Sequence, residues 1–362
     1  MTIRLPWRVQ NLADKIISAC HYYANRRANE RRPAGREFKI LFCVPFYGYT
    51  GGAFAVLSAA NLLAESCQVS FLTKASNVMN RYVSRKVRMV DEVAEPYDFC
   101  VIESGVDGAV ISRVKRDGAC IILTMHGAPA TADGAKNYGY SDEQIADTLK
   151  AVDSIQYVSD VQSPFFEGIA AIHRRKIPNY VLPVRKARRG RAVGLVCDTT
   201  LSHKNADAGI AAAELSSAGR IEIWGRYHNR RSTARIRWNG FSSDKARIYG
   251  SFDVLVHLSR LENQPLVILE AISAGIPCVL APLSAYDGFR GVEGIYFAQG
   301  DDPAAVARAI DQALDCPQET RDGLVRFWDA NFSPDAVLAQ WLGYLKEVRK
   351  RKEQGVQTAL SS

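Results

Sequence analysis

The sequence predicts an α/β protein built as two doubly wound, Rossmann-like domains that face each other across a cleft. Three observations carry this. Short apolar runs alternate with stretches of helical spacing along most of the chain. The series is interrupted once, by the basic, glycine-containing stretch "VRKARRGRAV" (184–193), and then starts again. The chain has 362 residues, 47% hydrophobic and 23% charged, a globular composition whose length suits two domains.

The elements follow in order. A basic segment, 1–37, precedes the first strand, "FKILFCVPF" (38–46), a continuous apolar run of the kind a buried parallel strand needs. A turn, "YGYTGG", and a helix over 53–66 come next, then strand "CQVSFLT" (67–73). "YDFCVIESG" and "ACIILTMHG" read as two more strands, each running into a glycine-containing loop, and "IQYVSD" and "IPNYVLP" complete a first domain over 38–183. After the linker, 184–193, the second domain covers 194–332. Its strands are "VGLVC", "IEIWG", "IRWNG", "DVLVHLS", "PCVLAP" and "GIYFA", with helices over 205–217, 242–250, 265–274 and 303–315. A helix over 333–350 is expected to pack back on the first domain, followed by a tail, 351–362.

Composition narrows the function classes. No run of about 18 apolar residues is present, so no membrane-spanning helix is expected. The start, "MTIRLPWRVQNLADK", lacks the apolar stretch and small-residue cleavage site of a secretory signal. The eight cysteines are scattered without a C-x-x-C pair, and most sit in strand-like runs, which reads as core thiols in a reducing cytoplasm. Net charge is +8, and residues 1–39 hold nine cations against three acids. Such a terminus suits an anionic partner. Leu12, Ile16, Ala19, Cys20 and Tyr23 fall on one helical face within 7–32, flanked by Trp7 and four arginines. The expectation is a peripheral contact with anionic membrane at its cytoplasmic face, with no nucleic-acid partner. Packing of this face against the protein's own domain is the competing expectation.

The most informative stretch is "RLENQPLVILEAISAGIPCVLAP" (260–282), in which Glu262 and Glu270 are separated by seven residues. Glu262 follows strand "DVLVHLS", in the loop at its carboxyl end. Pro265 suits the first helical position, where its missing N–H costs nothing. A helix starting there aims free N–H groups and a positive dipole end into the cleft, a site for a diphosphate. Carboxylates accept hydrogen bonds from paired hydroxyls, which ribose and hexose both offer. Glu270 between apolar neighbours has no use as a core residue, because an unpaired buried carboxylate is costly.

This segment, "DVLVHLSRLENQPLVILEAISAGIPCVLAP", resembles the E-x7-E segment of family 4 retaining glycosyltransferases of GT-B fold. Four further stretches resemble that family in the same order: "KILFCVPFYGYTGGA", "TMHG", "IPNYV" and "VGLVCDTTLSHKN". The resemblance covers about residues 38–350. It implies that Glu262 contacts hydroxyls of the donor sugar and Glu270 those of the ribose. Backbone amides from Gln264 through Pro265, Leu266 and Val267 would lie around the phosphate, with Asn263 beside them. Lys204 would neutralise the diphosphate leaving group. Gly51 and Gly52 would let the backbone approach the donor, and His126 would sit beside the sugar near the reacting carbon. The family has an arginine about six residues before the lysine, where this chain has Asp198; Arg226 or another cation of the 226–237 loop would take its place.

The expected activity is retaining transfer of a hexose from a nucleoside-diphosphate sugar to a hydroxyl of a glycan or lipid-linked acceptor. No D-x-D occurs, so neither a metal ion nor any other cofactor is expected. Two rivals are weighed. A dinucleotide-dependent oxidoreductase needs G-x-G-x-x-G after the first strand, and "GYTGGA" lacks that spacing. A catalytically inactive sugar-nucleotide-binding or scaffold subunit at the membrane would not need Glu262, Glu270, Lys204 and His126 together. The base, the sugar and the oligomeric state are not encoded in any motif.

Overall fold

The computed structural model describes residues 7–28, 37–43, 51–103, 106–126, 142–166, 172–184, 190–300 and 302–361. The first sheet has seven parallel strands in the order β3-β2-β1-β4-β5-β6-β7. These are β1 (Lys39–Cys43), β2 (Gln68–Leu72), β3 (Arg88–Val90), β4 (Phe99–Ile102), β5 (Cys120–Met125), β6 (Ser154–Tyr157) and β7 (His173–Lys176). The second has six parallel strands in the order β10-β9-β8-β11-β12-β13. They are β8 (Ala192–Val196), β9 (Arg220–Trp224), β10 (Ile236–Gly240), β11 (Val254–His257), β12 (Cys278–Leu280) and β13 (Ile295–Phe297). In both sheets the order reverses beside the first strand, and ligands of such sheets bind at the carboxyl ends of the strands flanking that point. All six residues of the central β5 are buried, as expected of a strand covered on both faces.

Helices cover both faces of each sheet. In the first domain, α2 (Gly51–Leu63) contributes Val56, Ala60 and Leu63 to a core with Ile40, Phe42 and Val101. The last helix, α10 (Pro334–Ser361), returns to this same core with Val337, Trp341, Tyr344 and Leu345. The Tyr344 hydroxyl donates to Ser154 Oγ at 2.7 Å. In the second domain, α7 (Leu266–Ser273) buries Ile268, Leu269 and Ile272 beneath α9 (Gln318–Phe332), which adds Leu324 and Trp328. The opposite face is closed by α5 (Ala206–Leu215) and α8 (Pro303–Leu314).

Several local expectations are corrected. "IPNYVLP" is not a strand. The last strand of the first sheet is the preceding His-Arg-Arg-Lys run, and 177–184 crosses in extended form to the second domain. Ile177 and Val181 are buried, so the apolar pattern reported burial rather than pairing. Ala192 and Val193, assigned to the linker, open β8. Pro265 caps α7 from outside rather than occupying its first turn. The helix α9 has no counterpart in the sequence-based assignment, and the terminal helix runs on through the expected tail to Ser361. Residues 44–50 of the first turn and 185–189 of the linker lie outside the described residues.

The basic segment holds a helix, α1 (Trp7–Ala28), that lies along the β3 edge of the first sheet. It packs with polar groups. Ser18 donates to the carbonyl of Val78 at 2.7 Å, and the Asn25 side chain donates to the Val87 carbonyl at 2.8 Å while accepting from Met89 N at 3.0 Å. That side-chain amide stands where the backbone of a further strand would pair. Tyr22 enters the main core.

Candidate functional site

The second domain supplies a pair of opposite charges at the point where its strand order reverses. The loop after β8 carries Lys204 and the loop after β11 carries Glu262. Lys204 ends a 3-10 turn, and Asn205 follows with φ 50°, a left-handed conformation that asparagine tolerates, to launch α5. The two loops are tied together where Arg260 N and Ser259 Oγ both donate to the His203 carbonyl. Lys204 Nζ then lies 2.5 Å from Glu262 Oε1, and His257 Nε2, at the end of β11, lies 3.1 Å from the same oxygen. Burial alone would raise the Glu262 carboxyl, but His257 and Lys204 outweigh it and hold the group at about 2. Glu262 is therefore an anion, with both protein contacts on one oxygen.

Glu270 lies in α7, only 5% exposed. Its carboxylate is not orphaned. Lys245 Nζ lies 2.7 Å from Oε1, and the Tyr249 hydroxyl donates to Oε2 at 2.5 Å. Both partners come from α6 (Lys245–Tyr249), which Asp244 caps by accepting from Arg247 N. The Lys245 side chain is 48% exposed, so it can swing away from the carboxylate without unpacking the core. Neither partner was singled out by sequence reasoning. A lysine just before Tyr249 in a short, polar-headed helix carries no motif.

At the start of α7, the side chains of Asn263 and Gln264 face the first domain. Gln264 Oε1 accepts from Asn179 N at 2.6 Å, and Asn263 Nδ2 donates to the His126 carbonyl at 3.1 Å. They precede Pro265, the N-cap, and Leu266 and Val267 open the first turn, where amides have no helical acceptor. Pro265 offers no amide at all.

His126 follows β5 at the carboxyl end of the first sheet. Its Nδ1 lies 3.1 Å from Asn179 Oδ1 and its Nε2 lies 3.0 Å from Thr124 Oγ1. Burial pushes the imidazole down to about 4, against the opposing hydrogen bond from Asn179, so the ring is neutral at neutral pH. With Asn179 accepting, the proton is assigned to Nδ1, and the single hydroxyl proton of Thr124 is shared between His126 Nε2 and Gln156 Oε1. Both nitrogens are engaged by protein, so a sugar can bond to the ring only by displacing one of them. Gly52, in the first turn of α2, is close by: a Cβ there would lie 3.7 Å from His126 Cβ. Gly51 opens the same helix.

Arg226 stands apart from the Lys204–Glu262 pair, and it sits beside Asp198. Its Nη1 lies 3.5 Å from Asp198 Oδ2, and its guanidinium side chain is mostly exposed. The close approach of the two loops requires Gly225, with φ 122°, because a Cβ there would meet the Cys197 carbonyl oxygen at 2.0 Å. Thr199 N and Oγ1 both donate to the Arg226 carbonyl, fixing its position. The residue that departs from the family pattern is thus adjacent to a cation from the neighbouring strand.

One further group at the cleft end of the first sheet was missed. Glu103 follows β4, and the parallel register sets it level with Thr124 on β5. Burial raises its carboxyl to about 8.

Residues 201–316 match the family model described as Glycosyl transferases group 1. The match takes in Lys204, Arg226 and both glutamates. Similar solved structures extend the likeness over both domains. HepE of Anabaena, solved with UDP, superposes with TM-score 0.67 at 13% identity, covering 85% of this chain and 100% of that one. Sucrose-phosphate synthase of Thermosynechococcus elongatus gives TM-score 0.66 at 14% identity, over 86% of this chain and 99% of the other. The pneumococcal O-GlcNAc transferase GtfA, solved with UDP and GlcNAc, gives 0.56 at 17% identity, over 69% and 56%. The chain has the GT-B glycosyltransferase fold. No curated protein sequence matches it significantly.

Proposed function

We propose that the protein transfers a hexose, with retention of anomeric configuration, from a UDP-sugar to a hydroxyl of a glycan or lipid-linked acceptor. The observation that carries this is the Lys204–Glu262 pair. It places a cation and an ionised carboxylate on two loops that meet where the strand order reverses, inside the segment that matches the glycosyltransferase model. UDP is favoured as the nucleotide because HepE and GtfA were both solved with it.

In this reading the diphosphate lies between Lys204 and the first turn of α7, whose free amides and dipole favour an anion. Arg226 swings from Asp198 to the outer phosphate. Glu262 accepts from sugar hydroxyls through Oε2, the oxygen that Lys204 and His257 do not contact. Glu270 exchanges Lys245 for the ribose diol. His126 and Gly52 line the sugar from the first domain. Catalysis rests on positioning and on stabilising the departing diphosphate, with positive charge supplied by the protein. Transfer is therefore expected to survive EDTA.

A thermal-shift panel of UDP-, GDP-, dTDP- and ADP-sugars, followed by a donor-hydrolysis assay, tests the reading. Stabilisation by UDP-sugars together with hydrolysis supports it. Absence of a shift with every nucleotide sugar would overturn it, and binding without turnover would favour an inactive scaffold.

A further inference from the structure

The helix α1 sits on its domain with its polarity reversed. The residues turned toward the sheet edge are Ser18, Tyr22 and Asn25, all buried, with Asp14 paired to Arg81. Large apolar residues are turned to solvent beside exposed Lys15 and Arg26: Ile16 is 56% exposed, Ile17 52% and Tyr23 58%. Cys20, one turn from each of Ile16 and Tyr23, is exposed too. An ordinary surface helix buries its apolar stripe and wets its polar one. Here the inner polar groups are consumed by the 3-10 turn Val78–Tyr82, which takes Ser18 and Asp14, and by the β3 edge, which takes Asn25. The outer stripe makes only an edge contact of Tyr23 with Tyr22 of the same helix among the described residues.

We infer that this outward face is a docking surface for an anionic lipid bilayer. Two arguments select that occupant. The first is charge. Residues 1–39 hold nine cations to three acids. The rest of the chain pairs with two of the cations, Arg26 through Asp91 and Lys39 through Glu95, and with two of the acids, Asp14 through Arg81 and Glu37 through Lys346, so the segment stays strongly positive. Lys15 is exposed beside Ile16. A basic helix with an apolar stripe lies in the headgroup region of an anionic membrane. The second is size. The stripe is a single helix wide, and three large side chains offer at most a few hundred Å², below the roughly 1,000 Å² that a specific protein interface needs. A second copy of the chain is therefore a poor fit, whereas insertion into a lipid interface needs no matching surface. The inference stands apart from the glycosyl-transfer reading, because α1 contributes nothing to the Lys204–Glu262 site.

The test uses the full chain in vesicle sedimentation. Vesicles mixing phosphatidylglycerol with phosphatidylcholine should carry the protein down, pure phosphatidylcholine should not, and rising salt should release it. Ile16→Glu and Tyr23→Glu should each weaken partitioning by about tenfold or more, since each places a carboxylate in the stripe. Both side chains are half in water, so both variants should melt at the wild-type temperature. Should either fail to fold, Ile16→Ser provides the same readout with a milder change. UDP-sugar thermal shifts should be unchanged in all of them, which separates this result from failure of the proposed function. Undiminished sedimentation of the Glu variants would overturn the inference. So would equal binding to neutral vesicles, or a concentration-dependent dimer that the variants abolish in the absence of any vesicle binding.

Discussion

Two carboxylates eight positions apart have different electrostatic settings, and this separates their expected phenotypes. Glu270 is held by Lys245 and Tyr249, away from the Lys204–Glu262 pair. If it serves the ribose, Glu270→Ala should weaken binding of UDP and of intact UDP-sugar alike, by about 1.5–3 kcal/mol. Glu262→Gln should instead cut turnover while leaving the Kd for bare UDP nearly unchanged. Isothermal titration of both variants checks this; loss of UDP affinity in Glu262→Gln to the same degree would reverse the roles. The pH dependence of stability has two opposite contributions. Glu262 is held at about 2, below the ordinary glutamate value of 4.5, so its contribution is present above pH 4.5 and is lost as pH falls toward 2. Glu103 is raised from 4.5 to about 8, so the native state binds the extra proton and stability falls as pH rises through that window. Glu103→Gln should therefore flatten the melting-temperature decline between pH 5 and 8, and an unchanged slope would remove Glu103 as its source.

At the scale of elements, α1 closes a sheet edge through one side chain. Asn25→Ala leaves the Val87 carbonyl and the Met89 amide without that partner, which should cost about 1–3 kcal/mol of stability in a denaturant titration. Asn25→Asp should not rescue it, because a carboxylate cannot donate to the Val87 carbonyl. The same helix shows why some of the molecule was legible in the sequence and some was not. Strands such as β5 and β11 are buried at every residue, so all but Thr124 and His257 are apolar and the run announces itself. The E-x7-E segment was readable because a strand, a loop, a proline and an apolar helix follow one another within it. The apolar stripe of α1 was visible as well, but its direction was not, since Ser18 and Asn25 show their partners only once the 3-10 turn Val78–Tyr82 and β3 are placed. Strand β7 reads as a charged surface run because it is the open edge of its sheet, with only its first residue less than exposed. Helix α9 was missed because its buried positions, Arg321, Leu324 and Trp328, include an arginine that reaches the carbonyls of Cys316 and Asp253. Lys245 was not legible, because its pairing with Glu270 comes from a neighbouring helix and not from the motif itself.

For the whole molecule, polar contacts across the cleft among the described residues include Asn263 to the His126 carbonyl and Gln264 with the backbone and side-chain amides of Asn179. They join the donor-side helix to the loop that carries His126. Asn263→Ala should loosen that junction and raise KM for the donor more than it lowers melting temperature, as read from steady-state kinetics and calorimetry on one preparation. The return of α10 has a larger energetic weight. Trp341 and Tyr344 are almost wholly buried against the first sheet. Trp341→Ala should cost about 3–5 kcal/mol, as large-to-small changes of buried aromatics do.

That return also governs the order in which the protein can be made. The first domain is discontinuous in the chain, because its core takes Ile40 and Phe42 from near the beginning and Tyr344 and Leu345 from near the end. The second domain, by contrast, draws most of its core from one uninterrupted stretch. On a ribosome the second domain can therefore close first, while the amino-terminal sheet waits with one face uncovered until the last helix leaves the exit tunnel. A chain cut short after Ser333 should show a protease-resistant second domain beside a protease-sensitive first one, and extending it through α10 should protect the first as well.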